Sequence, residues 1–145
     1  VSSCTNSTYA MKKELTLNYA NLTTNPANIY ATLSLDNFTA PNGTPNAAAL
    51  EHLHYVLTTS SSNCATGVVT GTEGVFTSTS DGPLFTNVNL LGTSIPTGTT
   101  VPSKKYYLWV WLDSDYAHPN TGSVISDPMQ NISFDLVWSG TITNE

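Results

Sequence analysis

Apolar and polar residues alternate with period two along most of this 145-residue chain, the pattern of a strand with one covered face and one wet face. "ELTLNY" sets Leu15, Leu17 and Tyr19 against Glu14, Thr16 and Asn18, and "IYATLSLDNF" puts Ile29, Ala31, Leu33 and Leu35 inside. "HLHYVLTT" places Leu53, Tyr55 and Leu57 opposite His52, His54 and Val56. "LFTNVNLL" offers Leu84, Val88 and Leu90 on one face, and "NISFDLVWSGTIT" aligns Ile132, Phe134, Leu136 and Trp138 against Ser133, Asp135 and Ser139. Segments rich in Pro, Gly, Asn and Ser, such as "TAPNGTPNAAA" and "SIPTGTTVPS", punctuate these runs as turns. The one helical stretch is "PNAAALEHL", Pro45 to Leu53, a turn or two in length. The pattern predicts an all-β, antiparallel two-sheet sandwich, jelly-roll or immunoglobulin-like, as a single domain over residues 1–145. Residues 1–10 form a polar extension ahead of the first good strand, Met11 to Tyr19.

"YYLWVWLDSD", Tyr106 to Asp115, departs from this alternation. Tyr106, Leu108, Val110 and Leu112 line one side, and Tyr107, Trp109 and Trp111 the other. The facing sheet covers one side. The other needs a short helix, a long loop or a neighbouring molecule, because monomers avoid large exposed apolar patches.

Charge narrows the classes of partner. Four lysines, no arginine and ten acids give a net charge of −6, which speaks against nucleic acid and anionic membrane as partners, since phosphate recognition draws on clustered Arg and Lys. With 39 Ser and Thr and 14 Asn, solubility comes from hydroxyl and amide groups, as on exported β-proteins. No run reaches the roughly 20 apolar residues of a membrane helix. The start at Val1 is the start expected of a mature exported chain whose leader has been removed. Cys4 and Cys64 lack metal-site spacing, so a disulfide, within or between subunits, is expected.

Chemistry is sparse. His52 and His54 share a strand side, but no spacing places His118 beside them, so they read as a solvated face and not as a zinc site. Asp113 and Asp115 occupy the first and third places of a calcium loop, yet His118 stands where glycine is needed, so they read as closing a turn. No nucleophile elbow, metalloprotease motif or phosphate loop occurs, and no enzyme, cofactor or metal is expected. Sequons stand at Asn6, Asn21, Asn37, Asn42 and Asn131; composition alone predicts about four (14 × 39/145), so they are candidate glycan carriers without further support. Three tryptophans could stack on sugar rings, which makes a carbohydrate-binding or adhesin module the alternative reading.

Taken in order, "YVLTTSSSNCATG", "GVF", "LFTNVNLLGTSIPTGTT", "YYLWVWLDSD" and "MQNISFDLVWSG" resemble the exported β-proteins of the TasA and camelysin family, over roughly Tyr55 to Gly140. The resemblance implies a jelly-roll subunit of extracellular fibres, found as biofilm matrix filaments in bacteria and as thread-like or bundling pili in archaea. In such fibres the N-terminal segment of one subunit completes the sheet of its neighbour. The protease label of camelysin does not transfer, because no metalloprotease motif is present. The expected function is therefore a secreted, cell-surface structural subunit that polymerises with copies of itself. Its donor segment is residues 1–10, or as far as Leu17, inserted beside a strand such as Tyr106–Leu112 or Ile132–Trp138. Subunit contacts are expected at Val1, Ser2, Ser3, Thr5, Thr8, Tyr9, Trp109 and Trp111.

Overall fold

The computed structural model describes Cys4 and residues 10–18, 27–91, 103–117 and 127–144. Its elements are β1 (Met11–Asn18), β2 (Ala27–Thr39), α1 (Ala47–Leu50), β3 (Leu53–Thr58), β4 (Gly74–Val75), β5 (Gly82–Asn89), β6 (Ser103–Leu112) and β7 (Ser133–Asn144). They build two antiparallel sheets, ordered β1-β6-β3-β4 and β5-β2-β7, the expected two-sheet sandwich. Only β3 and β4 are consecutive and in the same sheet; every other connection crosses between sheets.

The core lies where the alternation places it. Leu33 and Leu35 of β2 meet Tyr55 and Leu57 of β3 and Tyr106, Leu108 and Val110 of β6, all buried. Burying each such side chain contributes about 1.5–3 kcal/mol. Aromatic rings fill the space between sheets, with Phe76 5.2 Å from Phe134 and Phe85 5.7 Å from Trp138. The helix is a single turn: Asn46 caps it by accepting a 2.9 Å hydrogen bond from the Ala49 amide, and Leu50 is its buried anchor.

On β5 the expected face is incomplete. Phe85 is buried beside Leu84, Val88 and Leu90, which are partly buried, although strict alternation puts it opposite them. The cause is two irregularities: Ala31 and Leu33, two apart on β2, pair with Val88 and Phe85, three apart on β5, and the adjacent Leu33 and Ser34 pair with Phe85 and Pro83, two apart on β5. Asn87, in the left-handed region at φ 49°, takes up the bulge, so Phe85 and Val88 share a face.

The second face of β6 is covered by the chain itself. Cys4 and Cys64 form a disulfide with Cα atoms 6.4 Å apart, and with Val56 and Trp111 they make a second, smaller core, against which Ala10 and Trp109 pack. The segment carrying Cys64 is held by Thr59 and Val69 amides bonded to Gly67 and Leu57 carbonyls. Gly67, at φ 69°, is required there, because a side chain would run into Thr59 Oγ1.

Candidate functional site, the open edge of the sandwich

A sandwich leaves unpaired backbone groups along its edge strands, and proteins blunt such edges with charge, proline, bulges or brevity. Three of the four edges here carry such a device. β4 is two residues long. β5 has Pro83 and the bulge at Asn87. β1 carries Lys12, Lys13 and Glu14. The fourth, β7, runs for 12 residues, pairs only with β2 among the described residues, and has one charge, Asp135, and no proline.

The space beside β7 is apolar and incompletely filled. Ile132, just ahead of β7, and the inward β7 residues Phe134, Leu136 and Trp138 pack on the core but stay partly exposed, as do Leu15 and Leu17 of β1. Two cavities lie between the sheets on this side. One, of about 230 Å³, is lined by Leu15, Leu17, Ile29, Leu57, Tyr106 and Trp138. The other, of about 210 Å³, is lined by Met11, Leu53, Val110, Met129, Ile132 and Phe134. Among the described residues the three-stranded sheet is one strand shorter than its partner, and the open apolar strip runs along β7.

β6 cannot accept a further strand. Its two edges are taken by β1, from Met11↔Val110 to Asn18↔Ser103, and by β3, from Leu53↔Leu112 to Thr58↔Tyr107. Strand addition beside Tyr106–Leu112 is therefore ruled out by central position, and a donor reaching Leu17 is ruled out because Met11–Asn18 is itself paired with β6 of the same chain, whereas Ile132–Trp138 adjoins the edge that is open among the described residues.

The tryptophans differ in what they touch. Trp111 is 1 % exposed under the Cys4–Cys64 bridge, and His54 stacks on it at 5.1 Å. Trp109 is half-buried; its Nε1 donates to Thr58 Oγ1 at 2.9 Å, and Lys12 Nζ sits 5.3 Å from its ring centre while donating to the Ser61 carbonyl. Trp138 faces the inter-sheet cavity.

His52 and His54 meet on Asp113. His52 Nδ1 lies 2.9 Å from one carboxylate oxygen and His54 Nε2 lies 2.8 Å from the other. Burial pushes the Asp113 carboxyl up, but hydrogen bonds from His54, His52 and the Asp115 amide outweigh it and hold the carboxyl below its usual range. Because the imidazoles occupy separate oxygens, the cluster ties β3 to the turn after β6. Among the described residues no three His, Cys, Asp or Glu side chains are arranged to hold a metal ion. Farther along, Tyr116 donates to Asp127 Oδ1 at 2.6 Å; burial and that carboxylate push the phenol up to about 12.

Three candidate glycan carriers are described. Asn37, at φ 53°, donates its backbone N–H to the Asp36 and Asp81 carboxylates, and its side chain donates to Asp135 Oδ2. Asn42 donates to the Asp127 carbonyl. Asn131 is exposed at φ 60°. Val1, Ser2, Ser3, Thr5, Asn6, Thr8, Tyr9, Asn21 and His118 lie outside the described residues. Among the described residues no helix is long and apolar enough to cross a membrane.

Alternation in "NISFDLVWSGTIT" placed the β7 side chains correctly. That β7 is an edge, and among the described residues the one edge without a blunting device, depends on strand order, which period two does not encode. No family model matches the chain, and no curated protein matches it.

Proposed function

We propose that this chain is a secreted structural subunit that polymerises into an extracellular filament by β-strand addition. β7 is the acceptor edge, and the N-terminal segment of a neighbouring copy is the added strand. The observation that carries this reading is the β7 edge itself, 12 residues long and bearing a single charge, beside an apolar strip that one more strand would seal. Each backbone hydrogen bond of an added strand is worth about 1 kcal/mol net, so a row of them holds a fibre. The resemblance of the strand blocks to fibre-forming exported proteins points the same way. The Cys4–Cys64 disulfide suits an oxidising compartment.

Donor and acceptor occupy different places on one subunit. In the subunit Cys4 is bridged to Cys64 and, with Ala10, packs on the outer face of the four-stranded sheet, whereas β7 edges the other sheet, so donation of residues 1–10 requires that bridge to open or to form between subunits. A contact between two unlike surfaces is head-to-tail and propagates.

Negative-stain microscopy of the native protein tests the reading directly, with filaments expected. Deleting residues 1–10 should leave a folded subunit that does not polymerise. Because the deletion also removes the bridge, a Cys4→Ser/Cys64→Ser pair is the control: it keeps the donor and should still form filaments. Filaments of unchanged repeat from the deleted chain would sink the donor assignment.

A further inference from the structure

We infer that the outer face of the four-stranded sheet, along β1 and β6, binds an acidic polysaccharide, a polymer of sugar rings that carry carboxylates. The inference stands apart from the filament reading, since β7 belongs to the other sheet.

Folding gathers cations that the sequence holds apart. Lys12, Lys13, Lys104 and Lys105 are the only lysines, and there is no arginine. β1 and β6 are neighbours, and their register sets Leu17 opposite Lys104, Thr16 opposite Lys105 and Lys12 opposite Trp109. The two strands therefore carry all four lysines and one acid, Glu14, a net +3, while the other nine acids lie elsewhere in the chain. Among the described residues, Lys105 alone of the four is in an ion pair, with Glu14 at 2.9 Å, and both groups are so exposed that the pair is worth little.

Alternation puts Lys105, Tyr107 and Trp109 of β6 on the outer face, with Thr16, Glu14 and Lys12 of β1 opposite them. Tyr107 and Trp109 are half-buried, and the Lys12 ammonium lies 5.8 and 5.3 Å from their ring centres. The strip from Lys12 to the position opposite Lys105 covers about 13 Å of strand, with a cation toward each end and two aromatic rings between. Lys12 also donates to the Ser61 carbonyl, which brings an uncharged, hydroxyl-rich segment, Thr59 to Ser62, to the border of the strip.

This chemistry selects its partner. Aromatic faces stack on sugar rings, and ammonium groups meet carboxylates as point charges. Charge density decides against nucleic acid: a duplex carries one charge per roughly 1.7 Å, and the nine remaining acids repel so dense a polymer. A polysaccharide with one carboxylate per sugar offers rings and charges at intervals, as the strip does.

Immobilised polygalacturonate, with neutral dextran as its counterpart, tests the inference on the whole chain. Polygalacturonate should retain the protein at low salt and several-fold less at raised salt, because these exposed charges are screened; dextran should not retain it. Lys12→Gln with Lys105→Gln should lower the affinity at least several-fold at an unchanged melting curve. Glu14→Gln, which removes the one acid from the strip, should raise it, a gain that misfolding does not produce. Tyr107→Ala should weaken binding by a factor that salt leaves unchanged, since stacking is not screened. No retention at low salt, equal retention on dextran, tighter binding to single-stranded DNA than to polygalacturonate, or an affinity unmoved by the lysine and Glu14 variants overturns the inference.

Discussion

Gly74 lies against the Tyr55 ring so closely that a Cβ there would stand 2.6 Å from the phenol oxygen. That oxygen donates to the Leu84 carbonyl at 2.8 Å and so ties β3 to β5. Gly74→Ala should push the ring aside, leave the carbonyl unpaired, and cost about 1–3 kcal/mol in urea unfolding. Tyr55→Phe, which loses the hydroxyl without a clash, should cost less, and equal losses would reject the steric account. Two titrating groups give opposite pH slopes. The Asp113 carboxyl is depressed in the folded state, so its contribution is complete above the ordinary carboxylate range and is lost as pH falls through that range to the folded value. Tyr116 is raised from 10.0 to about 12, so its contribution is complete below pH 10 and lost as pH rises toward 12. Asp113→Asn should flatten the acid limb of a stability–pH curve and Tyr116→Phe the alkaline limb; unchanged limbs would show that other groups set them. Neither partner was legible in the chain, since His54 lies 59 positions from Asp113 and only folding brings them together.

Among elements, β5 and β6 show how a local irregularity or a remote cover alters a pattern. Asn87 holds the left-handed conformation that lets Phe85 turn inward. Asn87→Val should destabilise by about 1–2 kcal/mol, because a β-branched residue tolerates that conformation poorly, while Asn87→Gly should be close to neutral; calorimetric melts of the two variants check the difference. β6 is apolar on both faces because a second core forms behind it, closed by Cys4 and Cys64 across a sequence separation of 60. Replacing both cysteines by serine should remove about 4 kcal/mol of loop-closure stabilisation. It should also red-shift tryptophan emission as Trp111 becomes wet. Wild-type emission and stability would mean that the cover persists without the bond.

At the scale of the molecule, the four sheet edges of the described residues are treated differently, and the proposed directional polymer would use this asymmetry. Lys12 and Lys13 on β1, the bulge and Pro83 on β5, and the brevity of β4 discourage pairing, while β7 carries no such device and, among the described residues, has β2 as its one neighbour. Val137→Lys with Ser139→Lys gives β7 charges on its exposed face, in the manner that other edges are blunted. Folding stability should change by no more than about 0.5 kcal/mol at such exposed positions, while filament growth followed by light scattering should slow markedly. Growth at the wild-type rate would move the acceptor to another edge.

Period-two patterning alone determined the class of fold, the inward faces of β2, β3, β6 and β7, and the need for something to cover Trp109 and Trp111. Each is a property of a few adjacent residues, because alternation in an extended chain is fixed by backbone geometry. The disulfide was expected from two cysteines without metal-site spacing in a chain whose composition reads as that of an exported protein. Tertiary structure alone decided that the bridge joins Cys4 and Cys64 within one chain above Trp111, that β6 is central and β7 an edge, and that Asp113 receives two histidines. Those outcomes depend on which distant strands pair, and the hydrogen bonds of one antiparallel ladder are chemically the same as those of another. The choice between ladders is made by the fit of side chains across the whole core, a sum that no local stretch of sequence contains.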